Sequence, residues 1–289
     1  MELAMRRVFY PLLATAALFL LNIGPATAAP KPAPCTGCYA IFFGNGIGYS
    51  DAAWWDNDRE EIARLIGNTY NGKRIVYGNA VNPSGDDMAF FRALQQKIAE
   101  QPGGLPWELI ARITLRVLPP TDNPLIEGMR ASIDDLVRNT FTPKNTDRTY
   151  IDDRVIKQVA ALREAIVTKQ QRVVLVGNSQ GTLYANSDYR LLDKDAGVPK
   201  GRLKLASIAS VADSVAGNGR YVTLKNDDMV NYVRLLFWNT LPGNIWQPRN
   251  PKDDLGHGFG ATYMAENTPT RAAIREMIQA SLGDLAATP

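Results

Sequence analysis

The chain has 289 residues, 45% of them apolar and 21% charged, which suits one large folded domain or two small ones and excludes a disordered tail. Its net charge of +3 comes from 32 basic and 29 acidic residues with no dense Lys/Arg stripe, so a nucleic-acid partner is excluded. Residues 1–29 read as an export leader that is removed. Arg6 and Arg7 make a basic start, Val8 to Ile23 is mostly apolar, and Ala26-Thr27-Ala28 offers small residues for cleavage. Pro11 and Asn22 interrupt the apolar run, which is short for a spanning helix of about 20 residues. No later stretch comes closer, so no membrane span is expected after cleavage. The destination is the periplasm or the outside of the cell.

Residues 30–289 are expected to form a single domain, entered through the Pro-rich linker Ala29 to Pro34. Cys35 and Cys38 follow as Cys-Thr-Gly-Cys. A redox motif would place its first Cys at a helix start, whereas Cys38 runs into the apolar stretch Tyr39 to Phe43. A zinc site needs about four ligands, which two Cys and one distant His do not supply. The pair is therefore expected to be a structural disulfide formed in an oxidising compartment, and no metal is expected.

From Tyr39 onward, short apolar runs alternate with stretches of helical period, which predicts a mostly parallel sheet flanked by helices. Tyr39 to Phe43 is the first strand, Asp58 to Ile66 a helix, and Arg74 to Tyr77 a second strand. Gly103 to Phe141 breaks the alternation. It holds amphipathic stretches divided by Pro119-Pro120 and is expected to be a helical insertion before the central strand. Ile151, Val155, Val159, Leu162 and Ile166 then line one helix face. Arg172 to Val176 is a short, continuous β-branched run of the kind buried on both sides. Thr182 to Leu192 is helix-compatible, Leu203 to Val211 and Tyr221 to Leu224 are strands, and Met229 to Phe237 is helical. Thr268 and Pro269 open a last helix running to about Leu282.

Chemistry concentrates where the Val173 strand meets the following helix, at Gly177-Asn178-Ser179-Gln180-Gly181. In a nucleophile elbow the serine occupies a strained strand-to-helix turn, and the residues two before and two after must lack clashing side chains. Gly177 and Gly181 meet that requirement. A serine hydroxyl needs a base, and His257 is the one histidine in the chain. It lies in the Gly-rich segment Asp253-Asp254-Leu255-Gly256-His257-Gly258 before the last helix. An acid to orient it should follow the preceding strand, where Asp227 and Asp228 both stand; either could serve, and either could instead cap the next helix. Donors to an oxyanion would be the backbone N–H of Gln180 and that of Ile47 or Gly46, from the segment Gly44-Asn45-Gly46-Ile47-Gly48 after the first strand.

These residues together resemble the α/β-hydrolase superfamily, in particular bacterial lipase-like and esterase-like proteins. Several of those carry Gly-His-Ser-Gln-Gly followed by Asn-Leu-Tyr-Ala-Asn, and Gly177 to Asn186 matches except at Asn178 and Thr182. The resemblance covers about Tyr39 to Leu282, and only the elbow is specific. It implies an α/β-hydrolase fold and the chain order Ser, acid, His. It also implies Asp227 rather than Asp228 as the acid, and Ile47 as the second donor. The implied activity is cleavage of carboxylic esters through an acyl-enzyme, without a cofactor, on an ester or lipid-like small molecule. A catalytically idle binding or envelope protein and an acyltransferase using the same three residues are the alternatives. The link from Val211 to Arg220 is too short for a cap domain.

Overall fold

Why the central strands read as unbroken apolar runs is visible in their surroundings: both faces of the sheet are covered. The computed structural model describes residues 35–47, 52–82, 92–93, 96–97, 99–100, 149–237 and 239–288. The expected leader (1–29) and helical insertion (103–141) lie outside the described residues. Strand β1 (Tyr39–Gly44) is followed by α1 (Ala52–Ile66), the short β2 (Thr69–Tyr70) and β3 (Lys73–Asn79). Helix α2 (Asp153–Arg163) continues through a π-turn, Glu164–Thr168, to β4 (Arg172–Asn178). Then come α3 (Gly181–Lys194), β5 (Leu203–Ile208), β6 (Arg220–Val222), α4 (Asp228–Leu236) and α5 (Pro269–Ala287).

The strands form one six-stranded sheet in the order β2-β3-β1-β4-β5-β6. Every pairing is parallel except that of β2 with β3. The architecture is α/β. Successive side chains of a strand point to opposite faces, and β4 shows the consequence. Val173 and Leu175 pack with Leu162 of α2, Ile166 of the π-turn, and Ala185 and Leu192 of α3. Val174 and Val176 pack on the other side with Ile62 and Leu65 of α1 and Ile274, Ile278 and Leu282 of α5.

Several boundaries differ from the sequence expectation. Helix α1 starts at Ala52, six residues early, and α5 runs on to Ala287. The Thr268 side chain caps α5 as expected, accepting from Arg271 N, with Pro269 in the first turn. Ile151, placed on the apolar face of α2, is exposed, because Asp152 caps that helix by accepting from Arg154 N and Val155 N. Strand β5 stops at Ile208 rather than Val211: Ala209 adopts φ 49°, a left-handed conformation that leaves the pleat. Strand β2 was not anticipated. It pairs with β3 through Asn71 (φ 47°) and Gly72 (φ 71°), the positive-φ pair that closes a tight hairpin.

Strand β1 lies between β3 and β4. The chain therefore reverses its direction of winding at β1, and the carboxyl ends of β1 and β4 flank that switch point. Open parallel sheets bind ligands at such crevices.

Candidate functional site

The end of β4 and the start of α3 build the centre of the site. Ser179 adopts φ 52°, a conformation that costs a non-glycine residue on the order of 1–3 kcal/mol. The packing around it explains the two flanking glycines. A Cβ on Gly177 would stand 2.7 Å from the Gly181 carbonyl oxygen, and one on Gly181 would overlap the Gly44 carbonyl oxygen. The turn is therefore wedged between α3 and the end of β1.

His257 Nε2 lies 2.9 Å from Ser179 Oγ, and His257 Nδ1 lies 2.8 and 3.0 Å from the two carboxylate oxygens of Asp227. A proton on Nδ1 is donated to Asp227, which leaves Nε2 to accept the Ser179 hydroxyl proton. Of the two aspartates open to that role, the fold places Asp227 against the imidazole. Asp227 is fully buried and also accepts from Val230 N at 2.9 Å, so it caps α4 as well. Asp228 points elsewhere. Its carboxylate pairs with Arg249 at 2.7 Å on the surface, and the guanidinium's hydrogen bond holds it below the usual carboxylate range.

Two partners of the site went unnoticed in the sequence. The Tyr263 hydroxyl donates to Asp227 Oδ2 at 2.8 Å and accepts from Leu224 N at 2.9 Å. Burial first, and then the charge of Asp227, push the Tyr263 phenol up, so it remains a donor. Tyr263 follows His257 by six residues with no motif to mark it. Asp253 shapes the histidine segment by accepting from Gly258 N at 2.7 Å and from the Thr262 hydroxyl. Burial pushes its carboxyl up, but the hydrogen bonds from Thr262 and from the amides of Gly258, His257 and Gly256 outweigh this and hold it low. Gly256, at φ 63°, supplies the left-handed residue that turns the chain just before His257.

A cavity of about 820 Å³ opens over these groups. Ser179, Gln180, His257, Gly46 and Ile47 all contribute to its wall, so the expected donor segments meet the serine there. Gly46 lies so close that a Cβ on it would stand 3.0 Å from Ser179 Cβ. The rest of the wall is largely apolar, with Leu183, Val211, Val233, Phe237 and Phe259. Ile47, Met229, Tyr232 and Leu255 line the cavity and are also exposed, forming an apolar rim.

Away from this site, the Cys35 and Cys38 sulfurs lie at disulfide distance. Among the described residues, no group of three or more His, Cys, Asp or Glu could hold a metal ion. No helix among them is long and apolar enough to cross a membrane. The chain matches no family model, no curated protein and no solved structure.

Proposed function

We propose that the protein is an exported serine hydrolase of the α/β-hydrolase superfamily that cleaves carboxylic esters. The observation that carries this reading is the unbroken line of hydrogen bonds from Ser179 Oγ through His257 to Asp227. The switch-point position of the elbow in a mostly parallel sheet supports the superfamily assignment.

In this reading His257 Nε2 takes the hydroxyl proton as Ser179 Oγ forms a bond to the ester carbonyl carbon. The carbonyl π pair moves onto oxygen, which is stabilised by the backbone N–H of Gln180 and that of Ile47 or Gly46. The intermediate collapses, the bond to the alkoxy oxygen breaks, and His257 gives that oxygen its proton. Water then repeats the sequence on the acyl-enzyme, releasing the acid and restoring Ser179. Asp227 holds the imidazole in the reactive tautomer and stabilises its charged form. The apolar cavity and its exposed apolar rim support a substrate with a hydrocarbon acyl part. Each methylene buried there should contribute about 0.8 kcal/mol, close to fourfold in kcat/KM.

A fluorophosphonate probe tests the reading. It should label the protein once, on Ser179, and labelling that survives Ser179→Ala would overturn it. Release of free acid without an added alcohol or amine acceptor separates hydrolysis from acyl transfer.

A further inference from the structure

The two segments expected to donate to the oxyanion come from different parts of the chain, one after β1 and one after β4. A set of buried side-chain amides ties them together. Asn45 and Asn82 are fully buried and bond to each other reciprocally. Asn82 N donates to Asn45 Oδ1 at 2.8 Å, and Asn45 Nδ2 donates to Asn82 O at 2.6 Å and to Gly46 O at 3.0 Å. The Asn82 side chain then reaches across: its Nδ2 donates to Gln180 Oε1 at 2.9 Å. Gln180 Nε2 in turn donates to Gln96 Oε1 at 2.9 Å. Asn82 follows β3, so this linkage joins the carboxyl ends of three adjacent strands around the Ser179 turn.

We infer that Asn82 is a positioning residue, which with Asn45 fixes the separation between the Gly46–Ile47 backbone and the Gln180 backbone. The inference rests on the hydrolase reading above. Oxyanion donors act only within about 2.7–3.1 Å of the developing charge, and a misplacement of about 1 Å can cost roughly a hundredfold in rate. Two donors on separate segments hold that tolerance only if something sets the gap between them. Asn82 is also a poor choice for stability alone, because its Oδ1 is buried without a hydrogen-bond partner among the described residues. Proteins rarely leave such an acceptor unmet, and an apolar side chain would avoid the cost. What an apolar side chain cannot do is hold Gln180.

The test compares Asn82→Ala, Gln180→Met and the double variant in the full mature protein. Gln180→Met keeps its backbone N–H and breaks the same link from the other side, so it carries the test if Asn82→Ala does not fold. A trifluoromethyl ketone analogue of the best ester, whose adduct carries the oxyanion, is measured beside an unreactive ether of the same shape. Each single variant should lose about 10- to 100-fold in kcat with KM within about threefold. The ketone's inhibition constant should rise by a similar factor while the ether's does not, and the double variant should be no worse than the poorer single one. Unchanged kcat and ketone affinity, an equal loss of ether affinity, or multiplying losses in the double variant would overturn the inference. Probe labelling of the unaltered protein separates the two levels. If Ser179 does not label, the hydrolase reading fails. If it labels and the variants match it in turnover, only the positioning role fails.

Discussion

Asp227 caps a helix and, in the proposed reaction, orients the base. It caps α4 through Val230 N and also accepts from His257 Nδ1 and from the Tyr263 hydroxyl. Asn is as good a cap as Asp, but Asp227→Asn takes the charged acceptor from the buried Tyr263 hydroxyl and should cost about 1.5–3 kcal/mol of stability. Its kcat should fall by roughly 10⁴, because the imidazole is then held in the wrong tautomer. Asp228→Asn should be mild, since a surface ion pair with Arg249 contributes little. Steady-state kinetics on the two variants decide this, and the reverse ranking would move the acid to Asp228. Tyr263→Phe takes a donor from Asp227 and an acceptor from Leu224 N in one step. Hydrogen bonds to charged groups contribute about 1.5–3 kcal/mol, so urea unfolding should show a loss near 2 kcal/mol with a drop of about tenfold in kcat. A variant as stable and active as the parent would show that Tyr263 only fills space.

At the scale of the element, the strand-turn-helix unit around Ser179 is built on contacts too close for a side chain. Any Cβ on Gly181 meets backbone of the β1 end rather than a flexible side chain, so relief requires moving β1 or α3. Gly181→Ala should therefore cost about 3 kcal/mol, at the upper end of overpacking effects, and should slow probe labelling of Ser179 sharply. Gly260→Ala is the matched control, since a Cβ there meets nothing within 4 Å. Thermal melts and labelling rates of the pair test the point, and equal behaviour would mean the elbow tolerates side chains. Strand β4 extends to Asn178, past the expected end at Val176, because pairing with Ile208 on β5 carries the ladder up to the serine.

Across the whole molecule, one buried carboxyl sets a dependence on pH. Asp188 in α3 is fully buried, and neither of its oxygens has a hydrogen-bond partner among the described residues. Burial, and then the nearby charge of Asp152, push its carboxyl well above the ordinary value of 3.8. The folded protein thus keeps a proton that the unfolded chain releases above that pH. Stability is highest below about 3.8 as far as this group is concerned, and it falls as pH rises toward the folded value. Asp188→Asn removes the ionisation while keeping the shape. Its melting temperature should exceed that of the parent by a margin that grows as pH rises from about 4 toward the folded value. A margin constant across that range would mean that Asp188 is not the group responsible.

Period and order along the chain were enough for the α/β architecture. The β-branched run Arg172 to Val176 could be buried only between two helical layers, and Thr268 with Pro269 marked a helix start wherever the helix went. Ser179, His257 and a nearby aspartate could be named as well, because a strand, a Gly-x-Ser-x-Gly turn and a solitary histidine are local patterns. The Asn71-Gly72 dipeptide is an equally local signal, since it favours the tight hairpin that joins β2 to β3. Other features had no local signature. Asp227 and Asp228 are adjacent and chemically alike, and they are told apart only by the path of α4, which turns one toward His257 and the other toward Arg249. Tyr263, Asn82 and Asp188 look like ordinary residues in sequence. Their significance comes from neighbours 36, 98 and 36 positions away along the chain, at Asp227, Gln180 and Asp152. Spacing records what a segment can become, whereas hydrogen bonding and burial depend on which segments meet, and that was decided by the packing of the strand ends.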